Sequence, residues 1–129
     1  MSDELKTGIV ERTVAYSIRI VKLYRELERD SVGRIMGKHL LRSGTNIGAN
    51  VHEAQSAQSR VDFIAKMYIG YKEARESAYW LRLIREVELI PPKRLGPLCD
   101  ETDQMVRILS AILLTAKQRN SKKVLTHNS

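Results

Sequence analysis

Arg34 and His39 are the two side chains whose types and spacing come nearest to a reacting pair. An imidazole can take and return a proton near neutral pH, and a guanidinium can hold a phosphate that is gaining negative charge. Together they are the minimum for cleaving RNA. Five residues of helix turn the chain through about 500°, however, which leaves the two side chains roughly 140° apart. A solvated Arg34 and a half-exposed His39 are the expected state, and no catalytic residue is assigned. Metal chemistry is no better supported. None of the three histidines follows a Glu by three residues, as a di-iron bundle requires. His52 and Glu53 are adjacent and point about 100° apart. Neither a metal nor a cofactor is expected.

A polar constellation is more informative. Arg42, Asn46, Asn50 and Glu53 fall on one narrow stripe of a helix, with Met36, Leu40, Gly44, Ile47, Val51 and Ala54 on the opposite side. Gly44, Gly48 and Ala49 lie among them, and glycine costs about 1 kcal/mol relative to alanine inside a helix, so another helix is expected to come close. Two readings of the polar stripe compete. In one, Arg42, Asn46, Asn50 and Glu53 form a subunit interface whose polar groups fix register. In the other, they tie their helix to its neighbours within the chain. The interface reading is favoured, and with it a homo-oligomer.

Charge points to a partner class. The net charge is +7, with seven basic residues against three acidic ones in residues 91–129 and an even balance in residues 1–30. Lysine and arginine displace condensed counterions from phosphates, so RNA or DNA is the leading partner, with Arg34, Lys38, Arg42, Arg119, Lys122 and Lys123 as the candidate contacts. A solvated basic surface is the plain alternative. Tyr68, Tyr71, Tyr79 and Trp80 have the chemistry to stack on bases, but at helical spacing within an apolar seam they read as core.

The elements that must position these residues are helices. Apolar spacings of three and four predict helices over about 6–29, 32–55, 60–89 and 97–117. Ser31 is a candidate N-cap, Ser59 with Asp62 resembles a capping box, and Pro91-Pro92 and Gly96-Pro97 delay the last helix. Asp62–Lys66, Lys72–Glu76 and Arg82–Glu86 are spaced to pair along the third helix. Residues 119–129 lack periodicity and read as a flexible basic tail. Four helices with short connections predict an all-α, antiparallel up-down-up-down bundle over residues 1–118. A polar N-terminus, a lone Cys99 and the absence of a long apolar run make the chain an expected cytoplasmic protein with no membrane partner.

Residues 40–84, LLRSGTNIGANVHEAQSAQSRVDFIAKMYIGYKEARESAYWLRLI, resemble the family called four-helix bundle protein or 23S rRNA intervening-sequence protein. Arg42, Ile47, Asn50, Val51, Glu53, Asp62 and Phe63 occupy its motif positions, while Asn46 stands where Ser is common and Ala54 where Gly is. The resemblance extends over about residues 9–117. It implies a bacterial protein and a left-handed bundle, commonly in a ring of five. Some members are encoded inside insertions in 23S ribosomal RNA genes, and a related bundle accompanies a reverse transcriptase. The Arg34–His39 spacing is also similar to that of the helical HEPN-type ribonucleases. The resulting expectation is a non-catalytic, pentameric protein that binds nucleic acid. A protein-binding scaffold or accessory of a nucleic-acid enzyme is the first alternative and a ribonuclease the second.

Overall fold

Four helices make the fold: α1 (Asp3–Leu27), α2 (Ser31–Gln55), α3 (Arg60–Glu86) and α4 (Pro92–Asn128). The computed structural model describes the backbone of residues 3–128 and the side chains of residues 8–122. Among the described residues there is no strand, and no helix is long and apolar enough to cross a membrane.

Turn chemistry sets the boundaries. Asp30, rather than Ser31, caps α2, its carboxylate accepting the Gly33 N–H at 2.8 Å. Ser59 caps α3 by accepting from the Asp62 N–H, as the capping box predicts. At the other end of α3 the chain turns earlier than expected. Glu88 adopts a left-handed φ of 57°, and the Leu89 and Glu88 N–H groups return to Ile84 O and Arg85 O. That is the bonding of a Schellman motif, in which glycine usually takes the left-handed place.

The fourth helix departs most from expectation. It begins at Pro92, takes Pro97 into its interior and continues through 119–128, which is therefore helical rather than an aperiodic tail. Proline is well suited to the first turn, where its missing N–H has no partner to lose. The later residues are rich in Lys, Gln and Arg, which favour helix even where no apolar periodicity marks it.

Consecutive helices pack antiparallel. Gly44 and Gly48 of α2 lie against Ile20 and Thr13 of α1, and Gly70 of α3 lies against Ile47 and Val51 of α2. Arg12 of α1 grips Glu101 of α4 through two hydrogen bonds of 2.8 and 2.6 Å, while Arg94 meets Glu26 at 2.8 Å, closing the ring of four helices. Hydrogen bonding to Arg12 holds the Glu101 carboxyl below the usual carboxylate range.

The buried rows keep helical spacing along each element. In α1 the fully buried residues include Ile9, Thr13, Tyr16, Ile20, Leu23 and Leu27; in α3 they are Met67, Gly70, Ala74, Ser77, Leu81 and Ile84. These rows bring hydroxyls to the centre. Tyr16 Oη lies 2.7 Å from Thr102 Oγ1, and Ser77 Oγ donates to Ser43 Oγ at 2.9 Å. Two buried hydroxyl pairs therefore form, one joining α1 to α4 and the other α2 to α3. Thr102 gives its proton to Leu98 O, which leaves the Tyr16 O–H as donor to Thr102. Burial pushes the Tyr16 phenol up to about 12.

Candidate nucleic-acid interface

The structure disperses the six candidate phosphate contacts. Arg34 is exposed in the first turn of α2 and donates through Nε to Glu28 O at 3.2 Å, facing the turn from α1. Lys38 is exposed one turn further on. Arg119 and Lys122 lie near the other end of the bundle, since Arg119 adjoins Ala54 and Gln55 at the end of α2. The helix rise between Lys38 and Ala54 separates the two groups by about 24 Å. The Lys123 side chain is outside the described residues.

Arg42 is committed elsewhere. Its guanidinium reaches Glu73 at 3.2 Å and also pairs with Glu76, and the hydrogen bond to Glu76 raises its pKa. Two carboxylates match its charge, so it joins α2 to α3. Glu53, at the far end of the same stripe, pairs with Lys66 at 3.0 Å. Asn46 and Asn50 are half-buried, and the Asn50 amide donates to Asn46 O at 2.8 Å. Arg42 and Glu53 thus have their partners within the chain, as the second reading of the stripe expects. The close helix neighbour of the small residues is α1, through Gly44 and Gly48.

Arg34 and His39 also part company. His39 stacks on Trp80 with ring centroids 4.5 Å apart and planes 10° from parallel, whereas Arg34 turns to Glu28 in the connection from α1. Trp80 in turn donates to Glu76 at 3.2 Å, and Tyr79 meets its edge. These groups form a planar and ionic seam between α2 and α3. Among the described residues, no group of three or more histidine, cysteine or acidic side chains is placed to hold a metal ion.

A different surface brings cations and aromatic rings together. Along α3, Tyr68, Lys72, Arg75, Tyr79 and Arg82 recur at spacings of four, three, four and three, so they form one row on the helix. Tyr68 is 45% exposed and Tyr79 57%, which removes both from the core that their spacing suggested; Tyr71 and Trp80 are half-buried. Lys72 and Lys117 of α4 place their ammonium groups 5.5 and 5.6 Å from the Tyr68 ring centre, and Arg75 lies 5.9 Å from that of Tyr71. Arg75, Tyr79, Arg82 and Arg85 line a groove against α4, opposite Cys99 and Asp103. Burial pushes the Cys99 thiol up, away from a reactive thiolate. Of the three pairs expected along α3, Arg82–Glu86 forms at 3.2 Å, while Lys66 and Glu76 pair with α2 and leave Lys72 to the tyrosine. The alternation of tyrosine with cations was the available signal in the sequence.

The α1–α2 face combines exposed aliphatic side chains with Lys22, Arg25 and His52 at its groove. Val14, Ile18 and Val21 stand exposed in a row on α1 and line a shallow groove with Thr45, Gly48 and Ala49 of α2.

Comparison with known proteins agrees with this fold. A solved structure of a protein of unknown function from the S23 ribosomal protein family of Bacteroides thetaiotaomicron is 37% identical, with a TM-score of 0.80 over 84% of this chain and 97% of that one. Functionally curated proteins offer no match. The model of the 23S rRNA-intervening sequence protein family matches residues 6–111, and this four-helix chain belongs to that family.

Proposed function

We propose that this protein is a non-catalytic, oligomeric binder of single-stranded nucleic acid, and that the α3 row Tyr68–Lys72–Arg75–Tyr79–Arg82 is its contact surface. The row itself carries the reading. Exposed rings give unpaired bases a stacking platform, and neighbouring cations meet the phosphates between them. Lys72 and Arg75 have no carboxylate within ion-pair distance among the described residues. Self-assembly is assigned to the Val14–Ile18–Val21 face, on the far side of the bundle. Copies joined there leave every α3 row accessible, and weak contacts then add through effective concentration.

Anisotropy of a labelled oligouridine, titrated with nuclease-treated protein at several salt concentrations, tests the contact surface. Tyr68→Ala and Tyr79→Ala should each weaken binding by about 1–3 kcal/mol, roughly fivefold to 150-fold. Lys72→Gln and Arg75→Gln should each lower the salt slope by about 0.7. An equal loss from Arg34→Gln and Lys38→Gln would return the site to α2, and indifference to every oligonucleotide would leave a protein-binding scaffold.

Assembly is tested separately by light scattering. Ile18→Glu should convert the oligomer to monomer, because burial of each such aliphatic side chain contributes about 1.5–3 kcal/mol and a buried carboxylate opposes it. An unchanged mass would remove α1 from the interface.

A further inference from the structure

Where the last turn of α2, the first turn of α3 and the later part of α4 meet, the surface encloses a cavity of about 230 Å³. Its floor is apolar, with Ala54, Ile112 and Ala116 buried beneath it. Its remaining wall includes Arg60 from α3, and Thr115 and Arg119 from α4.

Hydrogen-bond donors dominate this wall. Neither Arg60 nor Arg119 has a carboxylate within ion-pair distance among the described residues. The nearby acid, Asp62, accepts the Gln58 N–H instead, at 3.3 Å. The Thr115 hydroxyl has no hydrogen-bond partner among the described residues. Ser59 accepts from the Asp62 N–H and still has its own proton to give. Arg60 and Arg119 from different helices, with Ser59 and Thr115, therefore line one concavity that has no acidic residue in its lining.

We propose that this cavity binds a phosphomonoester. A tetrahedral dianion offers several strong acceptors to the two arginines, which engage phosphate through charge-assisted and often paired hydrogen bonds. The apolar floor suits the carbon portion of the ester. At about 30 Å³ per water, the volume corresponds to roughly eight waters, enough for a phosphate with a sugar-sized group. The same chemistry has two sources, a free nucleotide or the terminal phosphate of a nucleic-acid strand. The α3 row begins at Tyr68, five residues after the cavity-lining Phe63, about 7.5 Å along the axis and about 140° around it. The cavity site stands on its own residues and does not require that row.

Calorimetric titration of the full chain with uridine 5′-monophosphate, uridine, and oligouridines with and without a 5′-phosphate tests the assignment. Uridine monophosphate or the 5′-phosphorylated strand should bind better than its phosphate-free counterpart. Arg60→Gln and Arg119→Gln should each cost roughly tenfold to a hundredfold in that phosphate-dependent affinity. Circular dichroism checks that both variants fold. The free nucleotide as the sole phosphate-dependent ligand identifies a small ester as occupant, whereas preference for the phosphorylated strand identifies a strand end. The Tyr68→Ala, Tyr79→Ala double variant separates the two sites, since it should leave uridine monophosphate binding unchanged. Equal binding with and without phosphate, or full phosphate-dependent affinity in both arginine variants, would overturn the proposal.

Discussion

Gly33→Ala is expected to destabilise the fold by about 2–4 kcal/mol, even though alanine is the better helix former. A Cβ at this position would overlap the carbonyl oxygen of Leu27. That oxygen belongs to the backbone of the turn and accepts the Asp30 N–H, so it has no rotamer with which to withdraw. Pushing α2 away would also stretch the hydrogen bond from the Gly33 N–H to the Asp30 carboxylate, the cap that starts the helix. Clash and cap therefore act in the same direction and exceed the propensity gain. Gly8 provides the opposite case, because nothing lies within 4 Å of a Cβ built there. Gly8→Ala should raise stability by up to about 1 kcal/mol. Urea unfolding of both variants measures the contrast; unchanged or increased stability in Gly33→Ala would refute the close approach.

Tyr16→Phe should reverse its effect with pH. Near neutrality the variant loses the Tyr16–Thr102 hydrogen bond at the centre of the bundle, at a cost of about 1 kcal/mol. Thr102 still has Leu98 O to bond, which limits the damage. In alkali the wild-type phenol becomes a liability. Burial raises its folded pKa to about 12, whereas an unfolded tyrosine loses its proton near 10. The stability from the protonated phenol is fully present below about pH 10 and is lost as pH rises toward about 12. Over that window the loss is about 2–3 kcal/mol, and phenylalanine has no such loss. Unfolding at neutral pH and near about pH 12 should therefore rank the two proteins in opposite order. A constant difference would mean that the phenol ionises alike in both states.

Much of the architecture was legible because its signals are local. Met36, Leu40, Gly44, Ile47, Val51 and Ala54 repeat at helical spacing and are all buried. Ser59 caps α3 because a hydroxyl at that point can accept an otherwise unpaired N–H. The start of α4 was obscured by prolines, which stop a preceding helix and fit a following first turn equally well. Its later part was obscured because charged helix formers leave no apolar rhythm. The end of α3 rests on Glu88 in a conformation that sequence habit assigns to glycine.

The candidate site was less legible, for a reason rooted in three dimensions. Arg42 looks like a free cation until Glu73 and Glu76 are brought beside it from another helix. Tyr68 and Tyr79 look like core until the orientation of α3 about its axis turns them outward. Charge type is written in the chain, but pairing and exposure are decided by the rotation of each helix about its axis. A rotation of about 100° per residue makes a small error in the seam a large one in the surface.

Trp80 is the protein's single tryptophan, and its place between His39 and Tyr79 has a practical consequence. Its emission has one source, set at the α2–α3 seam rather than beside the hydroxyl pair of Tyr16 and Thr102. Withdrawal of α2 from α3 removes the stacked imidazole and changes the light from that indole directly. Loss of helix elsewhere changes circular dichroism first. Coincident curves from the two signals would describe cooperative melting, and an earlier fluorescence transition would locate the first opening at this seam. The chain thus contains its own site-specific optical reporter, with no label to attach.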